Sequence, residues 1–352
     1  MTGTQYQPLV ELTRGKITES VHYGAIAVVN TNNDLLANFG DPEMVAFLRS
    51  SAKPFQAIPV FEYGAIDEYG FTDKEIALIC SSHSSTDEHL AAITELQDKI
   101  GLLEENLMCG THPPMDKQTE IAMLLRGEEP TQRRHNCSGK HTGMLVQAKI
   151  RRVSLENYID LHHPVQQADL KVFSEMCAVA MDQVEIGIDG CSVPVYAIPL
   201  RNAALGFARL ADPVGLPENR AAACRRITKA MTAYPFMVAG PDRFDTALME
   251  AFEGKIVTKT GAEGFQAIGI LPGVLSPGSP GVGIAIKISD GDLKDRARPT
   301  ASLEVLRQLG INFTTRQKEI LEKFDCPPVK NWRKIVVGET RPVFTLQKTS
   351  RG

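Results

Sequence analysis

The chain has 352 residues, a formal net charge of -4, 43% hydrophobic residues and 23% charged residues. That length exceeds one ordinary core and predicts about two lobes. Near-average composition and a weakly acidic balance give no electrostatic reason to expect a nucleic-acid partner or an anionic membrane surface, so a protein acting on a small molecule is the expectation.

The opening, MTGTQYQPLVELTRGK, lacks the basic start and apolar core of a secretory signal. No apolar run reaches the roughly 18 residues of a membrane span, so the sequence reads as soluble and cytoplasmic. Next, HYGAIAVVNTNNDLLANFG reads as a hairpin, with strands from Ala25 to Val29 and Leu35 to Phe39 joined by turn residues. From about Glu43 the pattern turns helical. STDEHLAAITELQDKIG predicts a helix capped by Ser85, with Glu88 in capping-box spacing, apolar Leu90, Ile93, Leu96 and Ile100 on one face, and a stop at Gly101. SGKHTGMLVQAKI and PVQQADLKVFSEMCAVAM continue the helical stretch.

GIDGCSVPVYAIPL returns to short β segments, and GKIVTKTGAEGFQAIGILPGVLSPGSPGVGIAIKI alternates β-rich runs with glycine and proline turns, the pattern of antiparallel strands. TASLEVLRQLG adds a helix, and the tail QKTSRG reads as dispensable. The expected class is α/β in the α+β sense: an antiparallel sheet built from both chain ends, with a helical middle. The sheet lobe is placed at roughly 1–45 and 195–352, and the mainly helical lobe at roughly 46–194. Seven cysteines, Cys80, Cys109, Cys137, Cys177, Cys191, Cys224 and Cys326, are odd in number and widely spaced, and read as reduced thiols.

Ser50 and Lys53 form the single S-x-x-K of the chain, in LRSSAKPFQ. At helical spacing the two share a face, so the amine can take the proton of a serine nucleophile. Pro54 puts the pair at a helix N-terminus, where proline is tolerated. The spacing also arises by accident, and a solvated turn is the competing reading. KIVTKTGAEG adds Lys259, Thr260 and Gly261 behind a β-branched run, the K-T-G that accompanies S-x-x-K in serine β-lactamases and penicillin-binding proteins. A cation there lowers the proton affinity of a second amine and attracts a carboxylate. The S-D-N element of those enzymes is absent, which weakens a penicillin-recognising assignment.

CSSHSSTDEH clusters hydroxyls before a helix; Ser85 reads as its cap, and Ser81, Ser82 and Ser84 as a turn or the wall of a polar pocket. HNCSGKHTGM places Cys137 at a predicted helix N-terminus, where the dipole favours thiolate and makes it a candidate nucleophile or soft metal ligand, with Lys140 on the same turn. DGCSVP supplies Cys191 beside Asp189. The two thiols stand 54 positions apart without C-x-x-C spacing, and on residues alone they read as inert core groups. Lysine must lose a proton to bind a metal, and by type His135 and His141 are the commoner ligands.

RSSAKPFQ, SSHSS, HNCSGKHTGM, DGCSVP and TKTGAEG, in this order, resemble the motifs of the rhizobial-type L-asparaginases, the asparaginase II class, unrelated to the two-domain threonine-dependent bacterial enzymes. The resemblance runs from ELTRGKITESVHYGAIAV to NWRKIVVGETRPVFTL, nearly the whole chain. It implies a serine β-lactamase-like fold, a homodimer, and hydrolysis of L-asparagine to L-aspartate and ammonia. It also implies two Ser-Lys pairs at one site, Ser50 with Lys53 and Ser82 with Lys259, with either serine open as nucleophile. A zinc (Zn2+) site is implied on Cys137, Lys140 and Cys191, completed by water, with Arg49 and Asp189 as polar groups for substrate. The inert-thiol reading is thereby reversed. Ser85 departs from the pattern, since glycine is expected there. Two rivals are another amide hydrolase on the same fold, penicillin-recognising enzymes included, and a zinc-binding protein without catalysis.

Overall fold

The computed structural model describes residues 5–349 and divides into two compact units. The first comprises the described residues up to Ser51, Ala197–Asp212, and those from Ala247 onward. Its core is an antiparallel sheet in the order Pro328–Lys330, Val336–Pro342, Gln7–Arg14, Ile17–Asn30, Val282–Ile288, Phe265–Ile270, Ile256–Gly261, so the two chain ends build one sheet. Leu35–Phe39 pairs with Ile17–Asn30, closing the expected hairpin. The helix Leu200–Ala211 packs on the strands Val282–Ile288, Ile17–Asn30 and Phe265–Ile270. It lies so close that a Cβ on Gly283 would stand 1.8 Å from the Ala204 carbonyl oxygen, which is why that strand carries glycine there.

The tail is less peripheral than expected. Gln347 and Lys348 pair with Asn38 and Ala37, and Thr349 N–H donates to the Leu36 carbonyl. The remaining residues of QKTSRG, 350–352, lie outside the described residues.

The second unit comprises Ala52–Tyr196 and Pro213–Thr246. Its central helix, Lys53–Glu62, begins at the predicted place, with Pro54 in the first turn, and packs against Pro164–Cys177, Glu218–Ala233 and Ser138–Ile150. Residues 213–246, assigned above to the sheet lobe, therefore belong with the helices: Glu218–Ala233 buries its apolar face on Lys53–Glu62 and Asp73–Ile79. Residues 46–51, assigned to the helical lobe, cluster with the sheet, because Val45–Phe47 is a strand paired with Ala197–Pro199. Among the described residues no helix is long and apolar enough to cross a membrane, and all seven cysteines are free thiols.

Candidate active site

In the sheet unit, Arg49 and Ser50 open a 3-10 turn, Arg49–Ala52, with Arg49 at φ 50. The turn is tied to the K-T-G strand, Ile256–Gly261: Ser51 Oγ donates to the Lys259 carbonyl at 2.6 Å, and a Cβ on Gly261 would lie 2.3 Å from the Leu48 carbonyl oxygen. Glycine in K-T-G is thus what lets the strand and the turn of Ser50 touch. Lys259 is fully buried, and its Nζ donates to the Thr260 carbonyl at 3.0 Å. The Ser50 hydroxyl is half-buried and makes no hydrogen bond among the described residues.

In the helical unit, Lys53 is 1% exposed at the start of its helix. Its Nζ lies 2.6 Å from the Ser81 carbonyl oxygen, 3.4 Å from that of Asn136 and 2.8 Å from Ser82 Oγ. The hydroxyl bonded to Lys53 is therefore that of Ser82, whereas the expected pairing gave Lys53 to Ser50. Sequence spacing marks only chain neighbours, and it is blind to a hydroxyl 29 residues on that the fold brings to the amine. The amine donates to these two carbonyls and to Ser82 Oγ, which puts a buried amine and a hydroxyl in direct contact, the pairing a Ser-Lys site uses.

The Ser82 loop is held from several sides. Ser82 N–H donates to the Val238 carbonyl at 2.8 Å and Ser84 Oγ to that of Ala239 at 2.7 Å. His83 was not singled out from the sequence, although it sits inside SSHSS. Its Nδ1 accepts from Ser85 N–H at 3.1 Å, and its Nε2 lies 2.9 Å from Ser138 Oγ, whose own proton goes to the Arg133 carbonyl. These partners assign the neutral Nε2–H tautomer, and burial holds the ring well below the usual histidine range. Thr86, not Ser85, caps the following helix: its side chain accepts from His89 N–H, while Ser85 stands at φ 66.

HNCSGKHTGM begins the helix Ser138–Ile150, as predicted. A Cβ on Gly139 would lie 2.0 Å from the Leu78 carbonyl oxygen, and one on Gly143 would lie 2.6 Å from Ile79 Cγ2. The two glycines let this helix seat against the chain leading into Ser81 and Ser82. Ahead of it, His135 Nδ1 accepts from Cys137 N–H at 3.0 Å.

Cys137 precedes the helix and Cys191 comes to it from the DGCSVP turn. The donor atoms of Cys137, Asp189 and Cys191 all lie within 4.8 Å of one another. Lys140 Nζ is 3.0 Å from Cys191 Sγ and 4.0 Å from Asp189 Oδ2, and Asp189 Oδ2 is 3.5 Å from Cys191 Sγ. A hydrogen bond from Cys191 holds the Cys137 thiol well below the ordinary range against the cost of burial, and the same bond raises Cys191, so the pair shares one proton. Burial opposes the Lys140 ammonium, but the neighbouring Cys191, Cys137 and Asp189 charges outweigh it and raise its pKa. Two buried sulfurs with an amine and a carboxylate fit a soft divalent cation, which would stabilise both thiolates at once. Neither His135 nor His141 belongs to this cluster; His141 Nδ1 is bonded to Tyr158 Oη at 2.6 Å.

The family model for L-asparaginase II matches residues 10–342. No curated protein shows a significant match. Among solved structures, a probable glutaminase from Bacillus subtilis complexed with 6-diazo-5-oxo-L-norleucine is similar at 13% identity and a TM-score of 0.37, covering 86% of this chain and 83% of that one. A Bacillus glutaminase determined in 4.3M NaCl is similar at 11% identity and a TM-score of 0.38, covering 86% and 90%. Likeness at that level assigns neither fold nor chemistry.

Proposed function

The chain belongs to the L-asparaginase II family, and from that premise we propose that it hydrolyses L-asparagine to L-aspartate and ammonia through a serine acyl-enzyme on a serine β-lactamase-like fold. The observation that carries this reading is the buried Lys53 amine 2.8 Å from Ser82 Oγ with its other directions filled by carbonyls. Ser82 Oγ gives its proton to neutral Lys53 and bonds to the side-chain amide carbon. The C–N bond then breaks, and the Lys53 proton leaves with the nitrogen as ammonia. Water attacks the resulting ester, returns a proton through Lys53 to Ser82 Oγ, and releases L-aspartate. Lys259, behind Thr260, supplies positive charge, and Arg49 and Asp189 are assigned to the substrate carboxylate and ammonium.

A second reading rests on the S-x-x-K spacing: Ser50 attacks after giving its proton to Lys53, and Ser82 with Lys259 relays a proton to the departing ammonia. A diazoketone analogue of asparagine separates the two by peptide mapping of the alkylated serine, alongside an ammonia-release assay. Label on Ser82 supports the first reading, and label on Ser50 transfers the nucleophile. Nitrocefin turnover without ammonia from asparagine would replace the proposed reaction with a penicillin-recognising one. Metal binding with no amide turnover at all would leave a non-catalytic zinc protein.

We assign the metal site to zinc on Cys137, Lys140 and Cys191, with the Asp189 carboxylate in reach. Bound there, zinc supplies a fixed positive charge that neutralises the thiolates and orients a polar group of the substrate. The same family reading carries a cytoplasmic homodimer, which sedimentation velocity and cell fractionation test.

A further inference from the structure

The net charge of -4 is reversed locally at one edge of the sheet, where two hairpin tips lie side by side. One turns at Gly15 and Lys16, between Gln7–Arg14 and Ile17–Asn30; the other spans residues 331–335, between Pro328–Lys330 and Val336–Pro342. Gly15 N–H donates to the Val337 carbonyl at 2.8 Å, and a Cβ on Gly338 would lie 1.8 Å from the Thr13 carbonyl oxygen, so the hairpins touch. They carry Arg14, Lys16, Lys330, Arg333 and Lys334, all exposed. Arg14 is paired with Glu19, and among the described residues the other four have no carboxylate partner. Trp332, the single tryptophan of the chain, is fully exposed at 101%, and Ile17, Ile335 and Val336 are exposed on the same hairpins. Arg14 from one hairpin and Lys330, Asn331, Trp332 and Lys334 from the other line an open cleft of about 470 Å³. The second tip is held in shape by Asn331, whose Oδ1 accepts the N–H groups of Arg333 and Ile335, both at 3.0 Å, and whose carbonyl accepts from Lys334 N–H at 2.9 Å. A closed turn, not a loose loop, therefore presents the indole.

We infer that these two tips form a docking surface for an anionic phospholipid bilayer, with Trp332 entering the headgroup region and the cations around the cleft meeting lipid phosphates. An indole combines an apolar body with one N–H donor, which is the combination that settles at a membrane–water interface. Each cation near an anionic bilayer adds to the attraction. Ile17, Ile335 and Val336 are buried when the tips enter lipid, whereas a nucleic acid, held by charge and by stacking on one indole, has no use for them. An extended acidic peptide gains little from the sheet edge, because the edge strand is three residues long and opens with Pro328, which has no N–H to give. A two-fold contact with a second copy sets one cationic patch against another. The contact is peripheral, since among the described residues no helix is long and apolar enough to cross a membrane.

Because Trp332 is the one tryptophan, its emission reports on this surface alone. The full chain is titrated with vesicles of equimolar phosphatidylcholine and phosphatidylglycerol, with vesicles of pure phosphatidylcholine, and with a single-stranded oligonucleotide and polyglutamate. The anionic vesicles should shift the emission to the blue, brominated lipid within them should quench it, and the protein should sediment with them until salt is raised. Pure phosphatidylcholine should bind at least about tenfold more weakly. Lys330→Ala and Lys334→Gly, the latter suited to its φ of 64, should each weaken partition by about fivefold. Trp332→Ala, followed by sedimentation, should weaken it by about tenfold, with far-ultraviolet circular dichroism unchanged in all three variants. Emission that stays unshifted on anionic vesicles, equal binding to the two kinds of vesicle, no quenching by brominated lipid, or undiminished partition of Trp332→Ala would overturn the membrane surface. A larger emission response to the oligonucleotide or to polyglutamate than to anionic vesicles would overturn it too, and would reassign the patch to a polyanionic macromolecule.

Discussion

Ser85 and Arg134 hold one another: Ser85 Oγ donates to the Arg134 carbonyl, and Arg134 Nη1 donates back to the Ser85 carbonyl at 2.9 Å. The exchange clamps the loop bearing Ser82 while Ser85 sits at φ 66, in the left-handed region that favours glycine. Glycine at this place is thus what backbone geometry prefers, and serine offsets the strain with a hydrogen bond. Ser85→Gly should be nearly neutral in urea denaturation, because relief of about 1 kcal/mol of strain cancels a lost bond of similar worth. Ser85→Ala loses the bond and keeps the strain, so it should be destabilised by about 1–2 kcal/mol. Equal stability of the alanine and glycine variants would dismiss the strain argument.

Lys53 and Ser82 should behave as one unit in kinetics. Lys53→Met and Ser82→Ala are each expected to lower kcat by at least about 100-fold, the lower end for a lost general base, with far-ultraviolet circular dichroism unchanged. The double variant should be no slower than the worse single one, since removing either partner already disables the other. Ser50→Ala is the discriminating variant: retention of most kcat fits Ser82 as nucleophile, and a loss as deep as that of Ser82→Ala moves attack to Ser50.

Parts of this site were legible because local chemistry wrote them into the chain. Pro54 and the S-x-x-K spacing marked where the helix of Lys53 starts, and the β-branched run before Lys259 marked its strand. The pairing of Lys53 was not legible, because Ser82 reaches it through folding of a separate loop. Gly139 and Gly143 carry the most structural meaning in HNCSGKHTGM, yet their reason lies in Leu78 and Ile79, which no local pattern connects to them. Ser85 and Thr86 are both good caps by type, and the Thr86 bond from His89 N–H with the dihedral at Ser85 decides between them.

The thiol pair gives the zinc assignment a test independent of turnover. Protein prepared without chelators should carry about one zinc per chain by elemental analysis, and Cys137→Ser or Cys191→Ser should abolish binding. Because the free cluster holds a shared thiol proton and the Lys140 ammonium, zinc uptake should release protons, measurable as a dependence of binding heat on buffer ionisation enthalpy. Full occupancy in both serine variants would remove these sulfurs as ligands.

Asp169 is fully buried in the helical unit, where Gln147 Nε2 donates to its Oδ1 at 2.9 Å and Oδ2 has no partner among the described residues. Burial outweighs the Gln147 hydrogen bond and the Lys140 and Arg151 charges and raises its pKa from 3.8 to about 8. The folded protein therefore binds a proton that the unfolded chain has already lost, and stability falls as pH rises from 3.8 through about 8. Buried neutral histidines impose the opposite trend. Burial lowers His83 and His141 well below 6.5 and His89 to about 4, so their contribution is complete above 6.5 and is lost as pH falls below it. In the interval from about pH 6.5 to 8 the lowered Cys137 thiol acts against Asp169, because the unfolded chain holds a thiol proton there that the folded protein has lost, so Asp169 is read from the difference between wild type and Asp169→Asn. Across it, the wild-type unfolding free energy should fall by on the order of 2 kcal/mol relative to that of Asp169→Asn. Asp169→Asn keeps the shape and the acceptor for Gln147 but cannot ionise, so its stability should gain on that of wild type steadily over that interval. Parallel curves for the two proteins in urea denaturation would show that Asp169 titrates near its ordinary value and that some other group bears the pH dependence.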